Sequence, residues 1–168
     1  MGFFDKLFKK EAESQITTER NTLYLPVKGK VIPLEEIGDG VFSEGVLGQG
    51  CGIIPAEEKV YAPANGTVSS IAASKHAIGI QTEDGAEVLI HVGMDTVDMN
   101  GDGFDVVVKE DQTVKCGQLL MKFNMSKIKA AGHPITTAFI VTNSDDLSEV
   151  TVLKTGSTDQ LTAVMRAK

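Results

Sequence analysis

The chain has 168 residues, 42% of them hydrophobic, and a formal net charge of -7. That length suits one folded core. The acidic balance, without clustered Lys and Arg, excludes nucleic acid as the main partner and favours a basic or arginine-bearing protein. No apolar run approaches the roughly 20 residues that a bilayer span needs. Cys51 and Cys116 show no C-x-x-C spacing, and no signal peptide precedes them, so a reducing cytosol is the expected compartment.

In chain order, Met1 to Lys10 places Phe3, Phe4, Leu7 and Phe8 on one helical face beside Lys6, Lys9 and Lys10. This is a basic amphipathic segment suited to weak contact with an anionic membrane surface or to docking on the body of the protein. Glu11 to Thr22 lacks hydrophobic period and is expected to be a flexible linker, so residues 1–22 form a tail and residues 23–168 the domain. From Leu23 onward, Val, Ile and Thr occur in short runs punctuated by Gly, which predicts an all-β domain with short helical turns. Expected strands include Tyr24 to Ile32 broken at Pro26 and Gly29, Gly52 to Ile54, and Lys59 to Pro63 paired with Gly66 to Ile71 in a hairpin about Asn65-Gly66. Further expected strands are Val106 to Val108, Gln118 to Phe123, Ile135 to Thr142 and Val150 to Leu153. Met125 to Ala131 is the one predicted short helix, and Val41 to Leu47 is a helical turn or an apolar loop. The glycines around Gly48-Gln49-Gly50-Cys51-Gly52 lack the lysine and following helix of a phosphate loop and are expected to be backbone punctuation.

Chemistry is expected at Glu87-Val88-Leu89-Ile90-His91-Val92-Gly93-Met94-Asp95, where an imidazole ends a strand-like run. The turn signal Thr82-Glu83-Asp84-Gly85 separates it from Ser74-Lys75-His76, so a hairpin brings His76 and His91 face to face. A neutral imidazole can accept a proton or a phosphoryl group, and a second ring or the Ser74 hydroxyl can support it. His91 and Asp95 also make an H-x-x-x-D spacing, but no H-x-H completes a three-ligand zinc site and His133 lies in a predicted loop. Asp98 to Gly103 imitates the start of an EF-hand loop with Lys109 where the bidentate Glu belongs, and is expected to be a polar turn. A phosphocarrier, a metal-dependent hydrolase using His91 and Asp95, and a pure interaction module all remain open on these residues alone.

The stretch Glu87 to Val97, together with Lys75-His76-Ala77-Ile78-Gly79-Ile80, Tyr61 to Val68, Gly101-Asp102-Gly103-Phe104, Pro134 to Thr137 and Val141-Thr142-Asn143, resembles the glucose-type enzyme IIA family of the bacterial sugar phosphotransferase system. The likeness runs from about Leu23 to Leu147. The start Met1 to Leu7 is similar to the tail of the free-standing enterobacterial form.

The resemblance implies an antiparallel β-sandwich of the duplicated hybrid motif type. It implies that His91 receives a phosphoryl group from the phosphohistidine carrier protein and passes it to a cysteine on the IIB domain of a sugar permease. His76 would be the supporting histidine and Ser74 the relay hydroxyl, in a place where the family carries a Thr-type residue. Partner contacts would come from the apolar Val41, Phe42, Val46, Ile78, Met94 and Val97 and from the acidic Asp39, Asp95 and Asp98. Ile78 and Ala72 stand where many relatives carry an aromatic residue. No cofactor is required by this chemistry, although His76 and His91 are a candidate zinc pair. The implied location is cytoplasmic, with peripheral contact at the inner face of the cell membrane.

Overall fold

A computed structural model describes residues 17–168. The basic amphipathic segment and most of the expected linker lie outside the described residues. The strands are β1 (Thr22–Tyr24), β2 (Gly29–Pro33), β3 (Gln49–Pro55), β4 (Lys59–Tyr61), β5 (Gly66–Ile71), β6 (Ala77–Thr82), β7 (Glu87–His91), β8 (Phe104–Val106), β9 (Thr113–Val114), β10 (Leu119–Phe123), β11 (Thr137–Val141), β12 (Val150–Val152), β13 (Gly156–Thr158) and β14 (Ala163–Ala167). One short helix, α1 (Met125–Ala130), is capped by the Asn124 side chain accepting from the Lys127 N–H.

An eight-stranded sheet runs β13-β2-β3-β11-β7-β6-β5-β9, faced by the three-stranded sheets β1-β14-β12 and β4-β10-β8. Neighbouring strands pair antiparallel throughout. The result is the all-β antiparallel sandwich that the sequence implies. Its main core gathers Leu25, Val27, Ile53, Val68, Ile80, Ile90, Leu120, Met121, Phe139 and Met165, all with essentially no exposure. Burial on this scale is the dominant favourable term for the fold.

Period-two alternation divides the central strands between two cores. On β7, Val88 and Ile90 enter the main core, while Leu89 and His91 point to the opposite face. On β11, Phe139 and Val141 enter the main core, whereas Ala138 and Ile140 join Leu34, Phe42 and Met94 in a second small cluster. That cluster is roofed by the glycine-rich connection between β2 and β3, which contains 3-10 turns at Leu34–Ile37 and Phe42–Glu44. His91 therefore stands on the face of the sheet away from the main core.

Two expectations are corrected. Lys59 to Pro63 and Gly66 to Ile71 do not form a hairpin: β4 pairs with β10, and β5 pairs with β6 and β9. Neither Asn65 nor Gly66 takes a positive φ, so the Asn-Gly pair is not a tight I′ turn. Instead Asn65 holds the chain crossing by accepting the Cys116 N–H at its side chain and the Glu83 N–H at its carbonyl. The second correction is Ile78, assigned to partner contact. It has no exposure, pairs with Ile90 and lies in the main core, so it cannot touch a docking protein.

The glycines Gly48, Gly50 and Gly52 are punctuation with a definite use. A Cβ on Gly50 would stand 2.2 Å from the Phe139 carbonyl oxygen on β11, so only glycine admits this strand spacing.

Candidate functional site

The two histidines meet because the β6–β7 hairpin sets their register. Ala77 pairs with His91, which leaves His76 one residue beyond the strand end, and the Val92 N–H donates to the His76 carbonyl at 2.8 Å. The ring centroids lie 4.7 Å apart with planes at 82°, an edge-to-face contact. His91 is flanked in register by Ala77 on β6 and Ala138 on β11, and these small neighbours leave room for the imidazole. Phe42, buried under the β2–β3 connection, packs on the His91 ring with centroids 4.9 Å apart. Phe104 supports His76 from behind at 6.4 Å.

A hydrogen bond defines the chemistry of His91. Its Nδ1 stands 2.8 Å from the Gly93 carbonyl oxygen, which has no proton to give. The neutral ring therefore donates from Nδ1 and carries its free lone pair on Nε2. Burial pushes the pKa of His91 down to about 4; the neighbouring His76 pushes the same way, against the Gly93 carbonyl, the His91 backbone and Asp39. Burial also lowers His76, opposed by the Ser74 backbone. His76 Nδ1 is buried without a well-aligned hydrogen-bond partner, so the Ser74 backbone is near it without satisfying it. Both shifts favour the neutral rings, and for His91 the lone pair available to chemistry is on Nε2.

The surroundings form a shallow depression of about 530 Å³ lined by Ile37, Asp39, Val41, Phe42, Leu47, Leu89, His91, Met94, Asp95, Val97 and Pro134. Val41, Leu47 and Val97 are 44%, 42% and 52% exposed and neighbouring Val46 is 70% exposed, an apolar rim that no described residue covers. Large apolar side chains left bare around a polar centre are a feature common to interaction surfaces. Asp95 is exposed in the same lining, whereas Asp98, also exposed, lines a separate depression with Met99, Asp102, Lys127 and His133.

Among the expected contacts, Phe42 and Met94 are buried and shape the floor rather than the rim. Asp39 is exposed at the rim, but its carboxylate accepts the backbone N–H groups of Phe42 and Ser43 at 3.1 and 2.9 Å. Partial burial raises the Asp39 pKa, and these N–H groups outweigh it, so the net shift is downward. Asp39 thus holds the turn that seats Phe42. Ser74 lies in the turn before β6, and its hydroxyl hydrogen-bonds neither ring among the described residues. Ile37, Leu47, Leu89 and Pro134 were missed from sequence, because only the crossing of the β2–β3 connection over β7 and β11 brings them together.

For metals, His76 and His91 are the adjacent pair. Among the described residues no group of three or more His, Cys, Asp and Glu is arranged to hold an ion. Asp95 is not joined to His91 by such a group, and His133 lies apart with Asp98, Met99, Asp102 and Lys127. Cys51 and Cys116 are free, buried thiols, pushed by burial up to about 12 and so unreactive at neutral pH. No helix among the described residues is long and apolar enough to cross a membrane.

The family model described as "phosphoenolpyruvate-dependent sugar phosphotransferase system, EIIA 1" matches residues 21–147. The chain belongs to this family. It is 43% identical over 146 residues to a protein of Bacillus subtilis (strain 168) named "PTS system beta-glucoside-specific EIIBCA component", covering 87% of this chain and 24% of that protein. It is also 43% identical over 141 residues to a "PTS system glucose-specific EIICBA component" of Staphylococcus saprophyticus, covering 82% of the chain and 21% of the relative. The chain thus spans only about a quarter of the length of these curated relatives. Among solved structures, "glucose permease IIA from Mycoplasma capricolum" superposes with a TM-score of 0.80 at 34% identity, covering 88% of this chain and 96% of that one.

Proposed function

We propose that this phosphotransferase-system component is a phosphocarrier that takes a phosphoryl group on His91 Nε2 and hands it on. The observation that carries the reading is the bond between His91 Nδ1 and the Gly93 carbonyl, which leaves Nε2 as the free nucleophile at the rim of an apolar docking depression. In the first step the Nε2 lone pair forms an N–P bond as the donor's N–P bond breaks, and the electron pair returns to the donor imidazole. The chemistry fits the phosphohistidine carrier protein as donor. In the second step a cysteine thiolate of a IIB domain forms an S–P bond, and the N–P electron pair returns to Nε2.

The chain does little covalent work, in keeping with phosphoryl transfer as a reaction of positioning and charge stabilisation. The Gly93 carbonyl keeps Nδ1–H in place while Nε2 carries the phosphoryl group. His76 donates a ring N–H to a phosphoryl oxygen, and Val41, Val46, Leu47 and Val97 exclude water when a partner docks. Asp95 and Asp98 orient a basic partner. The reading places the protein in the cytoplasm, with Met1 to Lys10 as a weak contact to the inner membrane surface.

The full chain incubated with phosphoenolpyruvate and the two general phosphotransfer proteins should acquire one acid-labile, base-stable phosphate, and His91→Gln should acquire none. Phosphate on the Gln variant would overturn the assignment.

A further inference from the structure

We infer that Thr96 is a positioning residue for both histidines, acting through the Val92-Gly93 backbone; the inference deepens the phosphocarrier reading and rests on it for its functional half. Thr96 follows the site in sequence, spends its hydroxyl on the backbone and not on either ring, and is completely buried. Its hydroxyl donates to the Val92 carbonyl at 2.6 Å. The N–H of the same Val92 donates to the His76 carbonyl at 2.8 Å. Its methyl group presses on Gly93, where a Cβ would come within 2.5 Å of Thr96 Cγ2 and 3.1 Å of the Pro134 carbonyl oxygen. Gly93 itself sits at φ +75°, a conformation that glycine adopts readily and that turns its carbonyl back to His91 Nδ1.

One side chain therefore holds both ends of the Val92–Gly93 peptide that leads into the critical Gly93 carbonyl. The hydroxyl fixes the Val92 carbonyl, the methyl group fixes the Gly93 α-carbon, and the Met94 N–H donating to Pro134 at 3.1 Å closes the loop from below. Asp95 at φ +62° is a non-glycine residue in left-handed backbone, which persists because Thr96 and the turn after it hold it there. Remove the hydroxyl and the Val92 carbonyl loses its partner in a dry environment; the peptide then turns toward water, and the Gly93 carbonyl swings off Nδ1. The His91 ring would then be free to place its proton on either nitrogen. Nε2 would lose its standing as the nucleophile.

The test is the tautomer of His91, read by long-range proton–nitrogen NMR correlation on the full chain at neutral pH. The wild type should show Nδ1 protonated and Nε2 bare. Thr96→Val, nearly isosteric, should give a mixture, with the two nitrogen resonances moving toward each other, and phosphate acceptance per folded molecule should fall about three- to tenfold, the ratio equivalent to one hydrogen bond. Thr96→Ser, which keeps the hydroxyl, should restore both readouts. If the valine form does not fold, Thr96→Cys, small and a weak donor, should show the same shift in lesser degree. A lowered melting point with an unchanged His91 tautomer would make Thr96 merely structural and overturn the inference. Failure of the wild type to accept phosphate would defeat the phosphocarrier reading while leaving the tautomer measurement to decide the positioning role.

Discussion

Replacing His91 by Gln should change how the stability of the protein depends on pH. The folded ring has a pKa depressed from the ordinary 6.5 to about 4, mainly by burial. In the unfolded chain the same ring regains its ordinary affinity, so on acidification the unfolded state binds a proton that the folded state refuses. The contribution is therefore intact above about pH 6.5, falls as the pH drops toward 4, and levels off below it. The gap of roughly 2.5 units corresponds to about 3.4 kcal/mol at 1.36 kcal/mol per unit, of which about three quarters is expressed by pH 4.5. Water at the open edge of the ring reduces this to about 2 kcal/mol. His76, also lowered by burial, adds a slope of the same sign. Urea denaturation of both proteins at intervals between about pH 7.5 and 4.5 should thus show the wild type losing about 2 kcal/mol more than the variant, since carboxylates common to the two cancel. Parallel curves would refute the claim that His91 is held neutral by its surroundings.

His76→Gln should still accept phosphate on His91 but deliver it to a IIB domain about a hundredfold more slowly, the usual effect of losing one donor to a transferring group; a normal single-turnover rate would remove His76 from the mechanism. Ser74→Ala should leave acceptance and delivery within about twofold, because its hydroxyl bonds neither ring, and a tenfold loss would show that the relay assembles only after phosphorylation. Gly50→Ala should destabilise the fold by at least about 2 kcal/mol, since its Cβ would meet the Phe139 carbonyl at 2.2 Å; an unchanged denaturation midpoint would contradict the β3–β11 spacing. Zinc should bind the unphosphorylated protein through His76 and His91, completed by water or a partner's carboxylate, and bind the phosphorylated form much more weakly, because metal and phosphoryl group compete for Nε2. Burial lowers both rings, so that binding should weaken on acidification at a lower pH than it would for two free imidazoles. Calorimetry giving equal affinity for both forms would place the metal elsewhere.

The paired histidines were legible in the sequence because everything that places them is local. The turn Thr82 to Gly85 joins strands of six and five residues, and the register it sets puts Ala77 against His91. What was not legible depends on contacts distant along the chain. Asn65-Gly66 has the composition of a tight turn, yet β4 is drawn to β10, nearly sixty residues on, and the Asn side chain serves that crossing. Ile78 fails for another reason: β6 is apolar along Ala77 to Ile80 and buried on both faces, so no alternation in the sequence tells which side looks outward. The connection from Leu34 to Leu47 has no period at all, and only its passage over Leu89 and Ile140 turns Phe42 inward and leaves Val41, Val46 and Leu47 bare.

This division also bears on mechanism. The strands set what must not move, namely the separation of the two rings and the small alanines beside His91. The loops supply what must meet other proteins. On the proposed phosphocarrier reading two partners dock in turn on one face, and a rim of valines and a leucine on the glycine-rich β2–β3 connection would meet both while the register beneath stays fixed. The one loop that cannot be allowed such freedom is the stretch from Val92 to Thr96, because its carbonyl decides which nitrogen of His91 is nucleophilic. There the chain departs from ordinary loop chemistry: a completely buried threonine, a glycine in left-handed backbone, and an aspartate held in the same region despite its Cβ.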